Sequence, residues 1–238
     1  MKRSALGILM LAGLLRPAGL QAFDYAGRWG LTGFGGFNTY AMGDVNDTLS
    51  QFNGSLNRGY ELGLGLSYGV SSRVLVTAGF GELFNSASFD GGSISLPALS
   101  GSLRGDYVFP KIFEAFDLSL GGGLEYDYLD GSTSVDPASA AGGIKASSWG
   151  GGGGTPGGAA PSGAAYVVTT CVGSTVGAQA SLGLRRFVSE QFALGAEAGY
   201  RYAHIYQVTG TTNGVSGPEK ETVDYSGLIL RVSGTYFF

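Results

Sequence analysis

The part of the sequence that follows residue 22 consists of segments in which apolar residues alternate with small or charged ones. The clearest segment runs from Phe192 to Tyr202, where every second residue is aromatic or aliphatic. The residues between them are small, except for the charged Glu197 and Arg201. Successive side chains of a β-strand point to opposite faces. The period of two therefore predicts a strand with one apolar face and one polar face.

Seven further segments repeat the alternation, so the sequence predicts eight strands. Two positions depart from it. Glu82 falls on the apolar face of its segment, which predicts a bulge or an end of strand pairing there. Phe34 falls on the face opposite to Trp29 and Leu31 in the first segment. The eight segments are residues 28–40, 58–70, 74–84, 99–109, 116–128, 174–187, 191–206 and 224–238.

The connections between the predicted strands alternate in length. The short ones are Ser71-Ser72, residues 110–115 and Ser189-Glu190. The others are long, and the third of them contains a stretch rich in Gly, Pro, Ala and Ser that is too poor in apolar residues to pack. Short turns at one end and long loops at the other are typical of an up-and-down transmembrane barrel. The long connections are 41–55, 85–93, the stretch from about 130 to 171, and 209–223.

The composition and the width of the bore together predict that the apolar faces lie on the outside of the barrel. Charged residues make up 13% of the chain, about half the usual share, and 44 residues are glycine. The bore of an eight-stranded barrel just accommodates side chains, so the crowded Leu, Tyr and Phe residues of the apolar faces do not fit inside it. Facing outward they suit lipid, where a sheet must close to pair its backbone. We therefore predict an all-β fold, an eight-stranded antiparallel up-and-down transmembrane β-barrel.

The first 22 residues have the organisation of a secretory signal peptide. Lys2 and Arg3 precede an apolar stretch over residues 5–15, and small residues around Ala22 suit cleavage. An uncleaved anchor helix is disfavoured because the apolar stretch is short for a membrane span. The sequence thus predicts a signal peptide over residues 1–22 and a transmembrane barrel over residues 23–238.

The last strand carries a pattern that resembles a known family. Apolar residues alternate up to an aromatic residue at the final position, which resembles the C-terminal signature of bacterial outer-membrane proteins. The eight strands resemble the small barrels of the OmpA, OmpX, OmpW and opacity-protein type. The resemblance implies short periplasmic turns, long extracellular loops, and a place in the outer membrane of a Gram-negative-type bacterium. It also implies outer-membrane lipid, lipopolysaccharide and the barrel-insertion machinery as partners. The signature residues are Leu228, Leu230, Val232, Tyr236 and Phe238.

Charged residues of both signs fall on the predicted inner faces. In a narrow bore such groups must pair with one another or be hydrated. The first hypothesis is a network of ion pairs that plugs the barrel and fixes its register, in a protein with a structural or surface-interaction role. The alternative is a small gated channel for small or apolar solutes. The residues are Glu61, Arg104, Asp106, Asp117, Glu125, Asp127, Arg185, Glu197, Arg201 and Arg231.

Other motifs argue against an enzyme or a cofactor site. His204 is predicted on the lipid face near the outer rim, which resembles the place of the histidine in an outer-membrane lipid A deacylase. That family has a serine two residues later, where this chain has Tyr206, so a lipid-modifying activity is disfavoured. The sequence shows no Asp–His pair of the kind that an outer-membrane protease would need. Residues 43–47 are predicted to form a turn and not a calcium loop, since a calcium loop would need a bidentate Glu.

The remaining features leave partners open. The formal net charge is −4 and the sequence has no basic cluster, so nucleic acid is not an expected partner. We expect no cofactor and no metal. The single cysteine, Cys171, is predicted to be an inert residue near a loop. The oligomeric state stays open.

Overall fold

The computed structural model describes residues 23–112, 116–135, 167–206, 208–212, 215–219 and 222–238. The predicted signal peptide and most of the glycine-rich stretch lie outside these residues. The helix is α1 (Gly43–Ser50). The strands are β1 (Trp29–Thr39), β2 (Arg58–Ser71), β3 (Val74–Phe84), β4 (Ser86–Phe89), β5 (Gly92–Ser95), β6 (Ala98–Phe109), β7 (Asp117–Val135), β8 (Val167–Phe187), β9 (Phe192–Tyr202), β10 (His204–Ile205), β11 (Val208–Thr212), β12 (Val215–Glu219), β13 (Val223–Asp224) and β14 (Gly227–Phe237).

Eight of these strands close into a barrel. In the order β1, β2, β3, β6, β7, β8, β9 and β14, each strand pairs antiparallel with both of its neighbours. The pairing of β1 with β14 completes the ring. The predicted all-β, antiparallel, eight-stranded barrel is confirmed. No helix among the described residues is both long and apolar enough to cross a membrane.

The register of the pairs staggers the strands strongly around the ring. Leu31 pairs with Leu66 on β2. Moving from each residue to its partner on the next strand around the ring ends at Tyr202, at the loop end of β9. On its other side Leu31 pairs with Tyr236, near the opposite end of the barrel. Closing a sheet with such a stagger requires the strands to tilt by about 40° from the barrel axis.

The two faces of each strand are separated as the alternation predicts. Most residues on the outer face are exposed, and residues on the inner face are buried or half-buried. Aromatic side chains lie at both ends of the outer surface and form two girdles, as in membrane barrels. The lower girdle, at the end of the short turns, includes Trp29, Tyr68, Tyr107, Phe109 and Tyr236, and the upper girdle includes Tyr60, Phe84, Tyr126, Tyr128 and Tyr202.

The prediction of a bulge or an end of pairing at Glu82 is wrong. The β2–β3 ladder runs unbroken from the pair of Tyr60 and Phe84 through Glu82, and its register shift lies at the other end, between Gly69 and Ser71. The strand keeps its pleat and directs the Glu82 side chain outward, since Glu82 lies two residues before the exposed Phe84 and therefore faces the same side of the sheet. Hydrogen bonds of the ladder therefore prevail over the face preference of one side chain.

Parts of the predicted irregular loops are regular strands instead. β4 and β5 form a hairpin whose second strand pairs with β7, and β11 and β12 form another that pairs with β8. β7 and β8 themselves continue past Asp130 and Cys171, so they include both ends of the predicted third loop. The extended strands offer free edges to the neighbouring loops, and this explains the added strands.

The predicted turn at residues 43–47 is also wrong, because these residues begin helix α1. Met42, Val45 and Leu49 are buried on one side of this segment. Their spacing of three and four residues is that of one helix face. The helix therefore packs its apolar side onto the loop end of the barrel.

Candidate functional site

Seven charged side chains form one chain of alternating sign through the middle of the barrel. It links five strands, β2, β6, β7, β9 and β14, and all of its contacts except that of Arg104 with Asp106 join residues distant in sequence. In order, the members are Asp106, Arg104, Glu197, Arg231, Glu61, Arg201 and Glu125. We call this set the charge chain.

The lower half of the charge chain is centred on Arg104. Its Nη2 atom lies 2.6 Å from Asp106 Oδ1. Its Nη1 atom lies 2.6 Å from each carboxylate oxygen of Glu197. Arg231 continues the chain, since its Nη1 is 3.5 Å from Glu197 Oε1 and also donates to Gln179 Oε1 at 3.0 Å. These charge-assisted contacts satisfy both guanidinium groups inside the bore.

The upper half of the charge chain is almost completely buried. Glu61 accepts from Arg231 Nε at 2.5 Å, from Arg201 Nη2 at 3.1 Å and from Asn38 Nδ2 at 3.0 Å. Arg201 is 1% exposed, and its Nε lies 2.6 Å from Glu125 Oε1. That last contact is an ion pair rather than a directed hydrogen bond. Arg201 thus bridges two buried carboxylates from opposite sides of the bore.

Three of the ten predicted interior charges lie outside the charge chain. Asp127 is fully buried above Glu125, and both of its oxygens lack a hydrogen-bond partner among the described residues. Asp117 and Arg185 sit opposite one another in the register of β7 and β8, near the turn end. The ten residues therefore divide into a central chain and separate groups above and below it. Alternation predicts that a side chain faces inward but does not specify its partner.

An aromatic plug closes the turn end of the barrel. Phe23 and Tyr25, which precede β1, pack against Phe187 and Phe237 with ring centroids 4.1 to 6.1 Å apart. The Tyr25 hydroxyl donates to Asp117 Oδ2 at 2.7 Å. Burial raises the pKa of Tyr25 above its usual value, and the nearby Asp117 carboxylate adds to this effect, although Arg185 opposes it.

Arg185 belongs to this aromatic plug. Its guanidinium carbon lies 5.6 Å from the ring centroid of Tyr25 and 5.9 Å from that of Phe237. These distances are those of cation–π contacts. The aromatic residues of the plug were missed from the sequence. Phe237 could have been placed in the interior from the sequence, because it lies an even number of residues after the inward Arg231 on β14 and so faces the same side.

An apolar cap closes the loop end. It is built from helix α1, the added strands and the upper ends of barrel strands, and we call it the loop cap. Tyr225 anchors it, since its hydroxyl donates to the Leu96 carbonyl at 2.8 Å and its ring lies 5.5 Å from that of Tyr40. Its buried members are Tyr40, Met42, Val45, Leu49, Leu56, Leu83, Ile94, Leu96, Ala98, Leu129, Cys171, Ala203, Ile205, Val208, Val223 and Tyr225.

A cavity of about 90 Å³ lies between the charge chain and the aromatic plug. Hydroxyl groups line it together with charged members of the chain, among them Thr32, Ser102, Arg104 and Thr235. The volume suits about three water molecules, at about 30 Å³ each. Polar walls of this kind favour water over an apolar ligand.

The five residues of the C-terminal signature all face outward. Leu228, Leu230, Val232, Tyr236 and Phe238 are between 46% and 67% exposed on the outer surface of the barrel. Phe237 between the last two is fully buried in the aromatic plug. The final three aromatic residues thus divide between the outer surface and the interior.

His204 lies beyond the barrel strands, in the small sheet that β10 forms with β13. Its Nδ1 is 3.4 Å from Asp224 Oδ2, and its ring packs 4.4 Å from that of Tyr206. The two-residue sheet brings His204 opposite Asp224. An Asp–His pair therefore exists that the sequence did not reveal. Among the described residues, no cluster of three or more His, Cys, Asp or Glu residues is arranged to hold a metal ion.

Comparison with known proteins bears on the fold. No protein-family model and no curated protein matches the sequence. Among solved structures, the outer membrane protein OprG from Pseudomonas aeruginosa is 13% identical, with a TM-score of 0.52 covering 91% of this chain and 98% of that one. A major outer membrane protein from Thermus thermophilus is 12% identical, with a TM-score of 0.50 covering 88% of this chain and 99% of that one. The chain has the fold of a bacterial outer-membrane β-barrel.

At this level of identity the likeness concerns the fold alone. What this barrel does must therefore be argued from its own residues. Its interior holds three layers: the aromatic plug, the charge chain and the loop cap. Each layer is made by residues from several strands, so together they cross-link the wall of the barrel.

Proposed function

We propose that the protein is a non-enzymatic integral protein of the bacterial outer membrane, with a structural or surface-interaction role and a plugged interior. Its fold is shared with outer-membrane proteins, which supports that location. The barrel-insertion machinery, outer-membrane lipid and lipopolysaccharide are its proposed partners. In this arrangement the loops beyond the upper girdle face the surroundings of the cell.

The observation that carries the proposal is the filling of the bore at three successive levels. Below, Phe237 and Tyr25 are fully buried among other rings. In the middle, Arg201 of β9 and Glu125 of β7 meet at 2.6 Å over the inner face of β8, the strand between them. Above, Tyr225 and its neighbours form a continuous apolar cluster. An ion would have to displace all three layers, and each is held by contacts between distant strands.

A second candidate, a small gated channel, is favoured by one observation. The cavity below the charge chain already offers a polar space, and inward glycines such as Gly65 and Gly79 help to line it. If the ion pairs above it opened, this space would extend upward. The channel hypothesis therefore requires the charge chain to rearrange, and the plug hypothesis requires it to stay intact.

The test is single-channel conductance of the refolded chain, residues 23–238, in a planar lipid bilayer. The plug predicts a silent membrane, with insertion verified by a heat-dependent shift in gel mobility. Steady openings that depend on salt concentration, and that change when Arg201 is replaced, would overturn the plug in favour of the channel. The double variant Glu197→Gln, Arg201→Met separates the two further. The plug predicts lower stability without conductance, and the gate predicts increased conductance.

A further inference from the structure

The charged groups inside the bore do not balance. The charge chain begins and ends with a carboxylate, so it holds four carboxylates and three guanidinium groups. Below it, Asp117 and Arg185 carry opposite charges on paired positions. Above it, Asp127 adds one more carboxylate, which is 0% exposed. The bore therefore carries an excess of two negative charges, and a buried charge without a counter-charge is costly.

The excess is concentrated at Glu125 and Asp127. The two residues are two positions apart on β7, so both face into the bore. Both carboxylate oxygens of Asp127 lack a hydrogen-bond partner, and no ion pair to Asp127 occurs in the described part of the chain. Glu125 has its ion pair with Arg201, which Glu61 also shares. Two adjacent buried carboxylates thus have less than one positive charge between them.

Neutral oxygen atoms border the two carboxylates. Ser100 of β6 is paired with Asp127, so its side chain lies beside that of Asp127 on the inner wall. Tyr40 of the loop cap is 6% exposed, and its hydroxyl has no hydrogen-bond partner among the described residues. Tyr40 also lies within electrostatic range of Asp127 and Arg201. The layer between the charge chain and the loop cap therefore combines two carboxylates with unsatisfied hydroxyl oxygen.

The chemistry of this layer selects a hard divalent cation. All of the candidate ligands are oxygen atoms, which hard cations prefer. One divalent ion balances the two excess charges, whereas a monovalent ion leaves one of them uncompensated. Ca²⁺ accepts irregular sets of about six to eight oxygens, while Mg²⁺ demands a near-ideal octahedron and keeps several water molecules. Calcium is therefore the better match to a layer in which Asp127 is fully buried.

We propose that the bore binds one calcium ion between the charge chain and the loop cap, held by the carboxylates of Glu125 and Asp127. The hydroxyls of Ser100 and Tyr40 supply neutral oxygens. Such a site has two acidic ligands and so differs from the clusters of three or more that the described residues lack. The ion would join β7 to β6 and to the loop cap, at the level where Arg201 already joins β7 to β2. Because the loop cap covers this layer, the ion enters before the cap closes.

The test is calcium retention by the refolded chain, residues 23–238. The protein is refolded in detergent with equal concentrations of calcium and magnesium chloride, or with the chelator EGTA. After gel filtration in metal-free buffer, bound metal is counted by native mass spectrometry. The wild type is expected to keep one calcium ion per barrel. EGTA present during refolding should prevent binding, whereas EGTA added afterwards should remove the ion slowly, since the loop cap covers it.

A matched pair of variants locates the ion. Asp127→Asn keeps the size of the side chain and removes its charge, so it is expected to lose the ion. Asp130→Asn is the control, because Asp130 lies on the same strand but is exposed on the outer face, and it should keep the ion. Only the folded barrel offers the site, so calcium should raise the urea midpoint of the wild type and of Asp130→Asn but not that of Asp127→Asn. In EGTA, Asp127→Asn should be at least as stable as the wild type, since it lacks the uncompensated charge.

Four results would overturn the site. A wild type that retains no calcium would leave the two carboxyl groups neutralised by a proton instead. Retention of magnesium in place of calcium would contradict the choice of ion. Equal retention by Asp127→Asn and the wild type, or equal losses in Asp127→Asn and Asp130→Asn, would place the ion outside the bore. The heat-dependent gel shift restricts every count to folded barrels, and conductance tests the proposed function separately.

Discussion

Replacing Arg201 by methionine is expected to destabilise the barrel by about 3–5 kcal/mol. The structure explains the size of the effect. Arg201 is 1% exposed, and its loss leaves Glu125 buried without its ion-pair partner. Glu61 suffers less, since it keeps Arg231 at 2.5 Å and Asn38 at 3.0 Å. The cost therefore arises mainly from one uncompensated buried carboxylate, because methionine fills similar space.

The assay is equilibrium unfolding by urea in lipid vesicles, followed by tryptophan fluorescence and by the heat-dependent gel shift. The double variant Arg201→Met, Glu125→Gln removes both charges and should recover at least about 2 kcal/mol of the loss, since it leaves no unpaired charge at position 125. Arg58→Met serves as the control, because Arg58 is exposed and should change stability by less than about 0.5 kcal/mol.

A loss of less than about 1 kcal/mol for Arg201→Met would refute this reasoning. It would mean that water reaches the upper charge chain freely and screens it as it screens a surface ion pair. The same result would favour the channel over the plug. If the double variant were as unstable as the single one, the cost would lie in packing rather than in the unpaired carboxylate.

Three further predictions concern the plug, the cap and the wall. Tyr25→Phe removes the hydrogen bond to Asp117 and should cost about 1–3 kcal/mol in urea unfolding. Burial raises the pKa of Tyr25, so the contribution of this side chain to stability is complete below the usual tyrosine pKa of about 10 and is lost as pH rises further. The wild type should therefore lose more stability than Tyr25→Phe when urea unfolding is repeated at increasingly alkaline pH. Cys171 is 1% exposed in the loop cap, so it should react with maleimide only after denaturation, and rapid labelling of the folded barrel would contradict the cap. Gly63→Ala places a methyl group against the Phe34 ring and 2.6 Å from the Phe80 carbonyl, so it should cost about 1–3 kcal/mol, whereas Gly105→Ala should cost little.

The barrel itself could be predicted from the sequence because each strand shows its inner and outer faces directly. The period of two at residues such as Leu62 and Leu64 indicates that they share one face of a strand. A sheet in lipid must close to pair its backbone groups, which predicts a barrel. Phe34 was recognised as opposed to its apolar neighbours, and the structure places its ring inside the bore, 5.2 Å from the Arg231 guanidinium carbon. Local alternation was sufficient for these conclusions.

The partners inside the bore could not be predicted in the same way. Arg104 and Glu197 meet at 2.6 Å because the stagger of the ring brings β6 and β9 residues to one height, and alternation along a strand carries no information on stagger. The aromatic plug was missed because Phe23 and Tyr25 lie outside any strand. The regular structure of the loops depends on the extended edges of β7 and β8, which are a property of the assembled sheet.

The seam between β1 and β14 also determines when the barrel can form. Thr32 and Thr235 share a hydrogen bond across it although they are 203 positions apart. Trp29 and Phe238 exchange backbone hydrogen bonds at its lower end. Until β14 has docked, every shorter folding intermediate carries two unpaired sheet edges, and such edges promote aggregation. Assembly is therefore a late, all-at-once event, and a chain that stalls before its last strand should be recovered as aggregate rather than as a smaller barrel.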